Sequence, residues 1–196
     1  NFQFTRRNRT VFLSILGVSW FWFYGAMFLT QFPAYAKTWL GGGEGVVTLL
    51  LTVFSVGIGL GSLLCERMSG HKVEIGLVPF GAIGLSLFAF DLFFATPGAA
   101  AKQGATAFEF LGTPGAPRIL IDLFLISMFG GFFIVPLYAL IQSRSDRSHQ
   151  SRIIAGNNIL NSLFIVAAAL IAAGCLHLGA TVPQLFLLTG LFNVAV

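Results

Sequence analysis

The chain has 196 residues, of which 56% are hydrophobic and 9% are charged, and its formal net charge is +4. A soluble domain is roughly 25% charged on average, so 11 basic and 7 acidic residues are too few to cover the surface of a 21.1 kDa globule. The composition therefore argues against a soluble enzyme, a disordered chain and a secreted disulfide scaffold. Basic residues beside long apolar runs indicate membrane topology rather than binding of nucleic acid.

Apolar runs predict six transmembrane spans, and with them an all-α, polytopic helix bundle. The hydrocarbon core of a bilayer, about 30 Å thick, is crossed by roughly 20 helical residues. Five runs reach that length. The sixth is shorter, and we interpret it as a spanning helix cut short, because Pro183 suits a first helical turn. No signal-peptide pattern precedes the first run, and we expect both ends to be cuts in a longer protein. The predicted spans are residues 11–32, 46–64, 75–95, 119–141, 153–176 and 182–196.

Basic residues between the spans predict the orientation of the chain. Eight lie in the amino tail and in the second and fourth loops, against three in the other loops. Because basic short loops stay in the cytoplasm, we expect the amino-terminal end of this stretch to be cytoplasmic. The long third loop, residues 96–117, is interpreted as a flexible connector, with a gating or partner-binding role as the alternative. The eight are Arg6, Arg7, Arg9, Arg67, Lys72, Arg144, Arg147 and Arg152, and the three are Lys37, Lys102 and Arg118.

Glycine and proline within the spans predict close helix packing and bending. Gly57 and Gly61 form a G-x-x-x-G pair, which lets two helix backbones approach closely. The same stretch half resembles a dinucleotide-binding fingerprint, but Ser62 replaces the last glycine, so we prefer the packing interpretation. Pro79 and Pro136 lie inside predicted spans, and each predicts a kink. A helix that bends during a transport cycle and a static kink are both compatible with Pro136.

Polar side chains in a span are costly to insert and therefore informative. In the first span, Trp20, Tyr24, Met27 and Gln31 recur on one helical face. Such a stripe, which is apolar with polar tips, suits a cavity for a molecule that has both an acyl chain and polar groups. It suits a helix–helix seam equally well, and the sequence leaves the two interpretations open.

The fifth span carries a second polar set, in which Asn157 and Asn161 lie one turn apart with Asn158 beside them. Amides in hydrocarbon need hydrogen-bond partners. These amides could bind a polar head group or form hydrogen bonds between helices. The second interpretation is favoured, because Asn157 and Asn158 lie close to the predicted cytoplasmic end of the span.

Three charged residues lie near the predicted outer ends of the third and fourth spans. Arg118 and Asp122 are four residues apart, which predicts a local ion pair that anchors the helix. The functional alternative is that Arg118 binds an anionic phosphate that enters from outside. Asp91 falls at a similar depth, where it either shares Arg118 or faces interfacial water.

Residues for catalysis or for a metal site are scarce. The sequence has no Walker lysine loop, no H-E-x-x-H motif and no G-x-S-x-G motif. His71, His149 and His177 share no ligand spacing, and Cys65 and Cys175 fall at opposite predicted depths, which argues against a disulfide. We therefore expect no enzymatic activity, no cofactor and no metal site in this stretch.

Residues 61–72, GSLLCERMSGHK, resemble the loop signature of the major facilitator superfamily, with the acidic residue one place later than in the signature. The strings ERMSGHKVEIGLVPFG at 66–81 and PLYALIQ at 136–142 resemble the lysophospholipid transporter branch. The likeness continues past Arg152 to Asn161 and covers most of the chain. It implies that residues 1–196 are the C-terminal six-helix half of a twelve-helix transporter.

The resemblance also implies a mechanism, in which two six-helix halves rock about a cavity lined by the first and fourth spans. The implied substrate is a lysophospholipid, such as lysophosphatidylethanolamine, moved across the bacterial inner membrane by alternating access. The implied partners are membrane lipid and the missing N-terminal half, with no nucleic acid. With the polar sets above, the implied substrate-binding residues are Trp20, Tyr24, Gln31, Arg118, Asp122, Asn157, Asn158 and Asn161, and the gating residues are Glu66, Arg67, Gly70, Lys72 and Pro136.

Two other functions stay open at this point. One is a facilitator that exports small drugs or metabolites, and a closed polar cavity would favour this function over lipid transport. The other is a membrane anchor that does not transport and forms half of a fused protein that remodels acyl lipids. Some members of the branch are fused to acyltransferase and acyl-carrier-protein synthetase domains, which would lie outside this stretch.

Overall fold

A computed structural model of the protein describes residues 9–70, 74–98, 100, 103–144 and 150–196. In those ranges the regular structure is helical, and the one β interaction is an isolated parallel bridge between Gly42 and Ala105. Helices satisfy their own backbone hydrogen bonds, which is why long apolar runs adopt them in lipid. The main helices are α1 (Arg9–Leu29), α2 (Glu44–Met68), α3 (Leu77–Ala95), α4 (Ala116–Arg144), α5 (Gln150–His177) and α6 (Val182–Asn193).

Five of these helices are long and apolar enough to cross a membrane, which confirms the prediction of an all-α, multi-pass membrane protein. The first of them continues beyond α1 through a short helix, Phe32–Ala34, and a π-helical turn, Tyr35–Trp39. The sixth predicted span is a helix of 12 residues. A capping box between Thr181 and Gln184 starts that helix, and Pro183 lies in its first turn as predicted.

Helix α4 lies at the centre of the bundle. In its most apolar stretch 61% of the residues are buried, against 17% in α5. It packs most extensively against α2 and α3 and also contacts α1, whereas α5 packs on α1 and α6 packs on α3. Helix α5 therefore turns most of its surface outward.

Glycines bring α2 and α4 into backbone contact. A Cβ atom on Gly61 would overlap the carbonyl oxygen of Met128, and one on Gly131 would lie 2.6 Å from the backbone nitrogen of Ser62. A Cβ atom on Gly57 would overlap Ser127 in the same way. The packing interpretation of the G-x-x-x-G pair is thus confirmed.

The two prolines predicted to kink helices lie in different surroundings. Helix α3 begins at Leu77, two residues later than the predicted span, so Pro79 lies in its first turn. A missing N–H group is tolerated there, and the prediction of a kink inside the span at Pro79 is therefore wrong. Pro136 lies inside α4 and is buried, as expected for a proline within a span.

The loop between α3 and α4 is docked on the loop between α1 and α2. The Gly43 amide donates to the Ala105 carbonyl oxygen at 2.8 Å, and the Ala105 amide donates to the Gly41 carbonyl oxygen at 2.9 Å. A short helix, Ala107–Leu111, follows behind a capping box at Thr106. Backbone hydrogen bonds thus join the described part of residues 96–117 to the loop between α1 and α2.

Candidate functional site

Among the described residues, two groups of polar side chains in the spans hold a buried oxygen atom that has no hydrogen-bond partner. We name the first, between α1, α4 and α5, the amide cluster; its members are Ser19, Trp22, Tyr138, Asn157 and Asn161. We name the second, between α3, α4 and the extension of α1, the carboxylate cluster; its members are Tyr35, Asp91, Thr96, Arg118 and Asp122.

The amide cluster is centred on Asn161. With its side-chain amide oriented to satisfy both atoms, Nδ2 donates to Ser19 Oγ at 3.0 Å, and Oδ1 accepts from Asn157 Nδ2 at 3.1 Å and from Trp22 Nε1 at 3.2 Å. Trp22 Nε1 also lies 3.3 Å from the hydroxyl oxygen of Tyr138. The cluster thus joins three helices through side-chain hydrogen bonds.

One acceptor in the amide cluster is left over. Asn157 is 3% exposed, and within the described part of the chain its Oδ1 atom has no hydrogen-bond partner. Trp22, at the edge of the same cluster, is 42% exposed. The cluster therefore has an exposed edge at Trp22 and a buried acceptor at Asn157, and an acceptor of this kind pairs with a hydroxyl or ammonium group.

The three predicted asparagines do not act together. Asn157 and Asn161 face α1, and Asn161 makes the interhelical hydrogen bond that the sequence favoured. Asn158 is exposed on another face of α5. A narrow buried line on α5 explains the division. Its members are four or seven residues apart, which keeps them on one helical face, and Asn158 falls outside it. They are Ile153, Asn157, Asn161, Ala168 and Ala172.

The aromatic stripe of α1 packs against other helices. The Trp20 Nε1 atom donates to Asn193 Oδ1 at 2.8 Å, and the buried Tyr24 hydroxyl donates to the carbonyl oxygen of Leu85 at 2.9 Å. Met27 is also buried. The sequence left two interpretations of this stripe open, a cavity lining and a helix–helix seam. The contacts of Trp20, Tyr24 and Met27 are those of a seam between helices.

The stripe ends before Gln31, and it includes a residue that the sequence reasoning missed. The Gln31 amide donates to Thr30 at the end of α1. Asn193 on α6 is 1% exposed, and its Nδ2 donates to the carbonyl oxygen of Ala82 at 2.8 Å and to Ser86 Oγ at 2.9 Å. An amide inside an apolar run is the signal that singled out Asn157, and it was present at Asn193 too.

In the carboxylate cluster, Arg118 binds across two helices. Its Nε donates to Asp91 Oδ2 at 3.0 Å, and its Nη2 donates to Asp91 Oδ1. The predicted local pair between Arg118 and Asp122 is thus wrong, and the interpretation that Asp91 shares Arg118 is confirmed. The two side chains are 54% and 39% exposed, so the guanidinium lies at the rim of the bundle.

Asp122 lies behind this ion pair. It is 2% exposed, it is in side-chain contact with Asp91, and in the described residues its Oδ2 atom has no hydrogen-bond partner. The hydroxyl groups of Tyr35 and Thr96 are 2.7 Å apart on the same side of the bundle. Three elements therefore meet around a buried carboxyl group.

Three of the predicted gating residues lie at or just after the end of α2, whereas Pro136 lies inside α4. Glu66 and Arg67 are exposed in the last turn of α2, and Gly70 follows with a φ of +55°, a left-handed conformation that suits glycine. Lys72 lies outside the described residues. The same holds for several basic residues and histidines that the sequence analysis placed in the tail and loops, namely Arg6, Arg7, His71, Lys102, Arg147 and His149.

Comparisons of the chain with protein-family models, with curated proteins and with solved structures gave no match. Function is therefore inferred from the two polar clusters and the apolar surface around them.

Proposed function

We propose that the chain is the C-terminal half of a major facilitator superfamily transporter that moves a lysophospholipid, such as lysophosphatidylethanolamine, across the bacterial inner membrane. The multi-pass helical bundle supports the proposal. So do the strings at 66–81 and 136–142, which resemble that branch. The physical problem that such a protein solves is a charged head group that cannot cross hydrocarbon unaided.

The observation that carries the proposal is the amide cluster, whose buried acceptor at Asn157 has no hydrogen-bond partner among the described residues. A lipid with one acyl chain needs polar partners for its head group and an apolar wall for its chain. The cluster offers the buried acceptor of Asn157 beside the exposed indole of Trp22. On α1 the apolar side chain of Leu29, which is 41% exposed, lies two turns after Trp22 on the same face and offers the wall.

Alternating access needs a second half that closes on the first. In this proposal the N-terminal six helices pack against α1 and α4. The exposed side chains of Glu66 and Arg67, in the last turn of α2, form charge pairs with that half in one of the two states. Membrane lipid is the other partner, and the mechanism involves no nucleic acid, cofactor or metal.

The test is lipid translocation by the full-length polypeptide in proteoliposomes. Labelled lysophosphatidylethanolamine is placed in one leaflet, and its arrival in the other is followed over time. Loss of a hydrogen bond to a charged group costs about 1.5–3 kcal/mol, so Asn157→Ala is expected to slow translocation about tenfold or more. Leu170→Ala, on the outward face of α5 where Leu170 is 69% exposed, is the matched control and is expected to retain the rate.

The alternatives give different results in the same vesicles. If labelled sugars or drugs cross while the lipid stays in its leaflet, the protein is an exporter of small solutes and the lipid proposal is wrong. If neither crosses, the membrane-anchor interpretation replaces both. Equal slowing by Asn157→Ala and Leu170→Ala would show that the amide cluster does not contact the substrate.

A further inference from the structure

The buried carboxyl group of Asp122 lacks a compensating charge of its own. The bidentate hydrogen bonds of Arg118 go to Asp91, and Asp122 Oδ2 has no partner within the described ranges. An ionised carboxylate in such a place is costly unless a cation or several donors face it. Two carboxyl groups, those of Asp91 and Asp122, therefore lie beside a single guanidinium group, that of Arg118.

The other elements packed against Asp122 add no cation to the cluster among the described residues. The extension of α1 brings the hydroxyl group of Tyr35 within electrostatic range. At the start of α2, Glu44 is 93% exposed and lies 4.0 Å from Lys37. The short helix 107–111 brings only Glu109, which caps its own helix, and α6, packed on α3, has no ionisable side chain in its sequence.

We propose that Asp91 and Asp122 form a proton-binding site in which one exchangeable proton is shared by the two carboxyl groups. Two carboxyl groups in contact hold a single proton because both cannot ionise cheaply side by side. Arg118 then neutralises the carboxylate that stays charged, and the cluster as a whole has no net charge. This inference does not depend on the proposed transport function.

Loss of the shared proton has a structural consequence. Two carboxylates would then face one guanidinium, and Arg118 lies on α4 four residues from Asp122 but on a different helix from Asp91. The cation would be drawn toward its own helix. The ion pair that ties α3 to α4 at this end of the bundle would weaken, so the site links proton occupancy to the contact between the two helices.

Infrared difference spectroscopy tests the site in the purified full chain in lipid nanodiscs. A protonated carboxyl group gives a carbonyl stretching band that shifts on exchange into heavy water. We expect this band at neutral pH, lost on raising the pH and shifted when aspartate is labelled with carbon-13 at its carboxyl group. Its absence from the unmutated protein, or its insensitivity to the aspartate label, would overturn the proposal without any variant.

Two variants then identify the partners. Asp122→Asn is expected to remove the band. Asp91→Asn is also expected to remove it, because Arg118 becomes available to pair with an ionised Asp122. A band that survives in Asp91→Asn would mean that Asp122 holds its proton alone and that no proton is shared. Glu109→Gln, which changes an exposed carboxyl group outside the cluster, is the control and should leave the band unchanged.

Discussion

Arg118 on α4 binds Asp91 on α3 through two nitrogen atoms, although Asp122 lies one helical turn away on its own helix. The pair therefore joins two elements that the chain connects through a loop of twenty residues or so, 96–115. The guanidinium is half exposed, whereas the carboxyl group of Asp122 is buried behind it. An exposed cation thus covers a buried acid.

The first prediction concerns this tie between α3 and α4. Arg118→Gln removes the cation from both carboxyl groups and is expected to lower the thermal midpoint of unfolding in detergent. Adding Asp91→Asn to that variant is expected to restore part of the loss, because the bare carboxylate is then removed as well. A double variant that unfolds at the sum of the two single losses would show that the residues do not interact.

The spans were predictable from sequence because their signal is local. Mean hydropathy and length define a membrane helix, so residues 119–141 match Ala116–Arg144 to within three residues at each end. Helix contacts of the G-x-x-x-G type are local in the same sense, since Gly57 and Gly61 mark one face of one helix.

Partners across helices were not predictable in the same way. The surface of a membrane helix that meets lipid is as apolar as the surface that meets protein, so hydropathy does not show which face of α1 is buried. Trp20 and Trp22 are the same residue type on the same helix, yet Trp20 packs against Asn193 whereas Trp22 is exposed. Arg118 binds Asp91 and not Asp122 because the packing of α3 on α4 brings the Asp91 carboxylate close to it. The spacing of residues along the sequence contains no information about that distance.

The second prediction concerns the backbone contact of α2 with α4. Gly61→Ala adds a methyl group where it would overlap the carbonyl oxygen of Met128. Backbone cannot move aside as a flexible side chain does, so we expect a loss of about 1–3 kcal/mol in the free energy of unfolding. Unfolding by denaturant in mixed micelles measures it. Gly59→Ala, in the same helix with open space around its Cβ position, is the matched control and is expected to be neutral or stabilising.

The third prediction concerns the buried amide of Asn193. Asn193→Leu keeps the side-chain volume but leaves Trp20 Nε1 without its acceptor and Ser86 Oγ without its donor. An unsatisfied buried polar group costs about 1–3 kcal/mol. We expect a loss of that order on unfolding and a changed emission maximum of the Trp20 indole. Asn158→Leu makes the same chemical change on the exposed face of α5, and an equal loss there would contradict the argument.

The last prediction concerns pH and the docked loop between α3 and α4. Hydrogen bonds from the backbone amide and the hydroxyl group of Thr106 hold the pKa of Glu109 below its usual value. Because the pKa is lower in the folded loop than in the unfolded one, the stabilisation is present above the usual glutamate value. It is lost as the pH falls through the lowered value.

Acidification is therefore expected to loosen the helix Ala107–Leu111. The measurement is amide hydrogen exchange in that peptide, which should be faster at low pH once the intrinsic pH dependence of exchange is removed. Glu109→Gln keeps a capping-box side chain without its charge, so it should exchange at a rate that no longer depends on acidification. Thr106→Ala should exchange fast at every pH. Loosening on acidification that persists in Glu109→Gln would place the titrating group elsewhere.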